Sequence, residues 1–217
     1  MNDTLREKTI CFVKETLKKA ESGHDWWHVH RVWILAKRIA EKEKNINMEV
    51  VELGALLHDI ADSKFCDGNE DVGPAIARQF LENENVDTDT IEQVLNIIKH
   101  ISFKNSFGEQ TFYSDELDVV QDADRLDAIG AIGIARTFNY GGYRNRPIYD
   151  PDIQPEFKMT KSKYKNSSAP TINHFYEKLL LLKDQMNTET AKAMAEDRHQ
   201  FMVRFLHEFF AEWNGKK

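Results

Sequence analysis

The sequence predicts an all-α protein. Apolar residues recur at the 3.6-residue helical period along most of the chain. Capping and breaking residues punctuate those runs, and no alternating apolar–polar pattern is long enough for a sheet.

The first amphipathic run places Phe12, Val13, Leu17 and Ala20 on one face, and Thr4-Leu5-Arg6-Glu7 ahead of it has the form of a capping box. Gly23 stands where that helix should end. A second helix is predicted over 25–43, with Val32, Trp33, Ala36, Ile39 and Ala40 as its apolar stripe. A third covers 48–60 and is almost wholly apolar from 50 to 57, which marks it as central. Asp71 and Pro74 signal a fourth, which carries Ile76, Phe80 and Leu81. A fifth is expected over 89–100, a sixth over 114–127 and a seventh up to residue 138. The pattern then breaks. Residues 139–170 hold Gly141, Gly142, Pro147, Pro151, Pro155 and Pro170 among many polar residues. A segment this long without periodicity reads as a lid or mobile insertion, with short strands as an alternative. Two helices follow, over 171–186 and 188–213. The last spaces Ala191, Ala195, Met202, Leu206, Phe209 and Trp213 along one side.

The 217 residues suit a single domain, 1–217, with a motif-bearing core over 23–138, the insertion and the C-terminal helices. Hydrophobic residues make up 41%, enough for a sizeable core. A net charge of -7 sets aside broad electrostatic binding to nucleic acid, which needs a positive field. A small phosphorylated substrate needs only a local basic pocket. Two cysteines, Cys11 and Cys66, are too few for a disulfide framework. Residues 1–7 are polar and carry no apolar signal core, and no stretch approaches the roughly 20 apolar residues of a membrane span. A soluble, cytoplasmic protein is expected, with no membrane partner.

Three groups of residues carry candidate chemistry: Gly23-His24-Asp25-Trp26-Trp27-His28, His58-Asp59-Ile60-Ala61-Asp62, and Asp122-Ala123-Asp124-Arg125-Leu126-Asp127. His58-Asp59 ends an apolar helix. An ionised carboxylate there is costly unless it is paired or bound to a cation. Imidazole and carboxylate together suit Mn, Fe, Co, Ni or Zn. Asp62 lies four residues after His58 and three after Asp59, so on a helix it projects to the same side. Asp122 and Asp124 are two apart and face differently, so only one of them should reach a shared metal. Asp127, three residues from Asp124, can support that residue or the substrate. His30 points away from His28, whereas His24 in the preceding turn is placed to touch a phosphate. His100 can line the pocket. Among Lys64, Lys99, Lys104, Arg125, Arg144, Arg146, Lys161 and Lys163, the best placed to hold phosphate are Lys64 and Arg125. The Trp26-Trp27 pair and the C-terminal aromatics read as core.

The spacing of these groups resembles the HD-domain metal-dependent phosphohydrolase superfamily. His28 is followed four residues on by Val32, a His-Asp pair comes about 30 residues later, and Ala123-Asp124-Arg125-Leu126 lies on a later helix. The likeness extends to Gly23-His24-Asp25-Trp26, to 122–138 and to the C-terminal helix pair. It is similar to a bacterial subgroup of small, single-domain proteins, some of which are manganese-dependent (deoxy)nucleoside triphosphate pyrophosphohydrolases. The resemblance implies an HD-domain helical bundle with added C-terminal helices and a long loop insertion. It implies that His28, His58, Asp59 and Asp124 ligate a metal, with Asp124 favoured over Asp122, and that Asp62 is the catalytic acid or base. Other branches often have Glu at that place; the shorter Asp leaves room for a water relay. Only His100 stands between the His-Asp pair and Asp124 as an extra histidine, which implies one divalent ion. Mn²⁺ is the first choice, with Mg²⁺, Fe²⁺, Co²⁺, Ni²⁺ or Zn²⁺ as alternatives. The implied substrate is a small phosphorylated molecule, a nucleotide first of all, and a homodimer is among the expected assemblies. Alternatives are a phosphomonoesterase, a phosphodiesterase, an iron oxygenase, and a non-catalytic nucleotide- or metal-sensing module.

Overall fold

A computed structural model describes residues 1–18, 23–60, 71–101, 111–157 and 169–217. Among the described residues there are helices and turns and no strand. The chain packs as two compact units, Met1–Asp124 and Arg125–Lys217.

The first unit holds α1 (Asp3–Thr16), α2 (Trp26–Ala40), α3 (Met48–Leu57), α4 (Val72–Asn83), α5 (Thr88–His100) and most of α6 (Asp115–Asp127). As the apolar run predicts, α3 is central: every residue from 50 to 57 is buried. It packs on α1, α2 and α5. Gly54 permits close approach, because a Cβ there would lie 3.1 Å from Ile97 Cδ1 and 3.6 Å from Val120 Cγ2. Glu52 places a charge in this core. Glu52 of α3 accepts from Arg6 Nε at 3.1 Å, from Arg6 Nη2 at 3.2 Å and from Trp33 Nε1 at 3.0 Å, joining α1, α2 and α3.

Several helices start at side-chain caps. Asp25 accepts from His28 N, Asn47 from Val50 N and Asp87 from Thr90 N, each satisfying a backbone donor that the first turn leaves open. At α1 the cap is Asn2, which accepts from Leu5 N at 2.8 Å, so the helix begins before the Thr4 box predicted from sequence.

The second unit contains the end of α6, then α7 (Gly130–Tyr143), α8 (Asn173–Glu177), a 3₁₀ helix (Leu179–Gln185) and α9 (Glu189–Trp213). Helix α9 packs on α7 and on the 3₁₀ helix. Phe138, Phe175 and Phe205 share one aromatic cluster. Two predicted boundaries move. Helix α7 continues to Tyr143, past the expected break at 139, and Gly141 lets it run against Thr171, whose Oγ1 would be 2.2 Å from a Cβ. The single helix expected over 171–186 is two pieces, divided at Lys178 (φ -143°, ψ -58°). The buried Leu179 and Leu182 are three apart and therefore share one side of a 3₁₀ turn. Thr171 N and Ile172 N donate to the carbonyls of Pro147 and Ile148, a short backbone pairing that stops short of a strand. No helix of the described residues is long and apolar enough to cross a membrane.

Candidate metal centre

Helices α2, α3 and α6 deliver their polar residues to one place in the first unit. Asp25 fixes the first turn of α2 by capping His28 N at 3.0 Å, which carries the His28 ring inward to 2% exposure. His58 follows the last residue of α3 and is likewise buried. Its Nδ1 lies 2.8 Å from the Ala55 carbonyl. A carbonyl only accepts, so Nδ1 carries the proton and Nε2 keeps its lone pair. That Nε2 stands 3.3 Å from His28 Nε2. His28 Nε2 is also 3.4 Å from Asp124 Oδ1 and 3.7 Å from Asp59 Oδ2.

Among the described residues two groups could hold a metal ion, His28-His58-Asp124 and His24-His28-Asp59, each with donor atoms within 4.8 Å of one another. They share His28. Imidazole lone pairs and carboxylate oxygens gathered around one point repel unless a proton or a cation joins them, and this mixed nitrogen and oxygen donor set fits a divalent ion. The arrangement also divides the four residues singled out in the sequence. Three come together directly, while Asp59 is drawn to His24, whose Nδ1 lies 2.5 Å from Asp59 Oδ2. Burial by itself raises the Asp59 carboxyl; His24 first, then His58 and His28, outweigh it and hold the group well below the usual carboxylate range. Asp124 is partly exposed, which gives the cluster a face open to solvent.

The remaining sequence candidates lie elsewhere or are otherwise engaged. Asp122 is fully buried and belongs to neither group. His100 places Nδ1 2.8 Å from the Asn96 carbonyl and Nε2 3.2 Å from Thr111 Oγ1, and it belongs to neither group. Arg125 donates to the Gln185 carbonyl, and Asp127 accepts from Arg136 Nη1 at 2.6 Å, both within the second unit. Asp62 and Lys64 fall outside the described residues. His30 packs among the rings of Trp26, Trp27 and Trp33. Trp27 is not core: it is 63% exposed, because the α2 face that it shares with Ile34 is turned to solvent. One contributor has no mark in the sequence: the Ala55 carbonyl orients His58, and no side-chain motif can announce a backbone acceptor.

A family model for the HD domain matches residues 26–129. A solved structure from Lactobacillus plantarum superposes with a TM-score of 0.86 at 40% identity, covering 99% of each chain. That of an HD-superfamily hydrolase from Bacillus thuringiensis gives a TM-score of 0.75 at 44% identity over 96% of each chain. YpgQ of Bacillus subtilis is 38% identical over 206 residues, 93% of this chain and 90% of its own length. The crystal structure of YpgQ in complex with ADP superposes with a TM-score of 0.73 at 31% identity, covering 95% of this chain and 97% of that one.

Proposed function

The chain belongs to the HD domain family and is a hydrolase, and from that premise we propose that it cleaves the phosphoanhydride of (deoxy)nucleoside triphosphates to the monophosphate and pyrophosphate. The observation that carries this reading is the convergence of His28, His58 and Asp124 donors within 4.8 Å, with Asp59 beside them. The nucleotide part is supported by the relative YpgQ, which was crystallised with ADP.

His28, His58, Asp59 and Asp124 would hold one divalent ion, Mn²⁺ as first choice. Such an ion supplies Lewis acidity toward a phosphate oxygen and lowers the pKa of a water. The protein's own groups do the rest. Ala55 fixes the His58 tautomer, so that Nε2 is always the donor on the metal side. Asp62, assigned from its place in the His58-Asp59-Ile60-Ala61-Asp62 run, takes the proton released as water attacks the α-phosphorus. A P–O bond forms, the α–β anhydride breaks, and pyrophosphate leaves. Lys64, assigned from its place just after that run, would hold the remaining phosphates, where charge-assisted hydrogen bonds are strongest.

The test is a panel of nucleoside triphosphates incubated with Mn²⁺ and the purified chain, with products identified by phosphorus NMR. Pyrophosphate is expected, and none from His58→Ala or Asp59→Ala. Asp62→Asn should lower kcat by roughly 10²–10⁴-fold, the usual range for a lost acid or base, while metal uptake persists. Orthophosphate as the product would overturn the assignment of the α-phosphorus.

A further inference from the structure

The contact between His24 and Asp59 differs in kind from those among the other donors. Two ligands of one divalent ion sit at the ends of an edge of its coordination polyhedron. With bonds of about 2.1 Å, that edge measures about 3.0 Å at a right angle and about 3.4 Å at the tetrahedral angle. The 3.3 Å from His28 to His58 and the 3.4 Å from His28 to Asp124 are edge lengths, and the 3.7 Å from His28 to Asp59 is slightly longer. The 2.5 Å between His24 Nδ1 and Asp59 Oδ2 is shorter than any such edge. It is a hydrogen-bond contact, shorter still than the roughly 2.7–2.9 Å usual between an N–H donor and a carboxylate. An ionised carboxylate only accepts, so His24 Nδ1 carries the proton and that nitrogen is committed to Asp59 rather than to an ion. The two overlapping groups share His28, whose single Nε2 lone pair serves a single ion, so they form one centre.

The sequence places His24 immediately before the Asp25 cap of α2. The cap that sets His28 therefore sets His24 as well, with its ring centroid 5.8 Å from that of His28. Resting on the metal reading above, we propose that His24 is a positioning residue of the centre. Its Nδ1–H grips Oδ2 of Asp59 and aims that carboxylate at the His28 side, instead of contacting a substrate phosphate. Gly23-His24-Asp25-Trp26-Trp27-His28 is then a single device in which Asp25 places the helix, His28 ligates and His24 steers the ligand on the neighbouring helix.

The test is calorimetric Mn²⁺ titration of the unaltered chain, His24→Ala and His24→Asn, with far-UV circular dichroism to show that each is folded. The Asn amide can present an N–H close to where Nδ1–H stands. His24→Ala should weaken Mn²⁺ binding about 10–100-fold, the usual loss when a ligand's hydrogen-bond partner is removed. His24→Asn should regain most of that affinity. At saturating Mn²⁺, KM for the nucleotide should change little in either variant. Unchanged Mn²⁺ affinity in His24→Ala together with a raised KM would make His24 a phosphate contact and overturn the proposal. Failure of folded His24→Asn to regain affinity would also overturn it. Absence of Mn²⁺ uptake by the unaltered chain overturns the metal reading itself, and that result is told apart by needing no variant.

Discussion

Asp122 and Asp124 carry the same side chain two positions apart, and their surroundings separate them. Asp124 brings Oδ1 to 3.4 Å from His28, whereas Asp122 is fully buried outside both donor groups. Substitution should therefore split their effects. Asp124→Asn should abolish tight Mn²⁺ binding in calorimetry while the thermal midpoint of the metal-free chain barely moves. Asp122→Asn should do the reverse, lowering the midpoint because it changes a fully desolvated group, and leaving Mn²⁺ binding within a few-fold. Equal loss of metal binding in both variants would show that the choice between the two aspartates is wrong.

Helix ends and one buried ion pair translate local sequence into site geometry. The cap of α2 is the clearest case. Asp25→Ala should cost about 1 kcal/mol of stability, a typical loss for an N-cap. Because the same turn sets His24 and His28, it should also weaken Mn²⁺ binding, and Asp25→Ser should recover both. Denaturant titration and calorimetry on the three proteins check this.

The Glu52 pair acts on α3, the helix that His58 follows. Burial by itself raises the Glu52 carboxyl; hydrogen bonds from Arg6 and then Trp33 outweigh it and hold the group below its ordinary value. A depressed folded pKa gives stability that is present above the unfolded value and is lost as pH falls through the folded one. The chain should therefore lose stability below the ordinary glutamate range, near pH 4.5 and downward. In Glu52→Gln the acid part of that dependence should flatten. Glu52→Ala at neutral pH should cost about 3 kcal/mol, the low end for breaking a buried pair, because Arg6 keeps Asp3 and solvent. A pH series of urea melts on the three proteins tests both statements.

Across the whole molecule, an ion that binds only the folded chain stabilises it by mass action. At Mn²⁺ one hundred times Kd, the gain is about 2.7 kcal/mol. The thermal midpoint should rise on adding Mn²⁺ and return on chelation, and His58→Ala should show no response. A midpoint that rises equally in His58→Ala would place the ion elsewhere. The second unit contributes none of the described donor groups. A core substitution there, such as Phe175→Ala, should lower the midpoint in denaturation scans without removing the Mn²⁺ response of the first unit.

Periodicity was enough to read the helical class and the central α3, because a buried helix face leaves local marks. His58 and Asp59 stand out at the end of an apolar run, whereas His28 and Asp124 are singled out by the resemblance to a known family and not by any local mark. The break at Lys178 was not legible, since four successive leucines satisfy either helical period and only the packing of Leu179 and Leu182 selects the 3₁₀ turn. Local sequence also could not show that Arg125 and Asp127 turn to Gln185 and Arg136, or that Trp27 faces solvent. Above all, it could not show that His24 reaches across 35 positions to Asp59. Those partners are distant in the chain, and a hydrogen bond between distant residues exists only once the helices that carry them have packed.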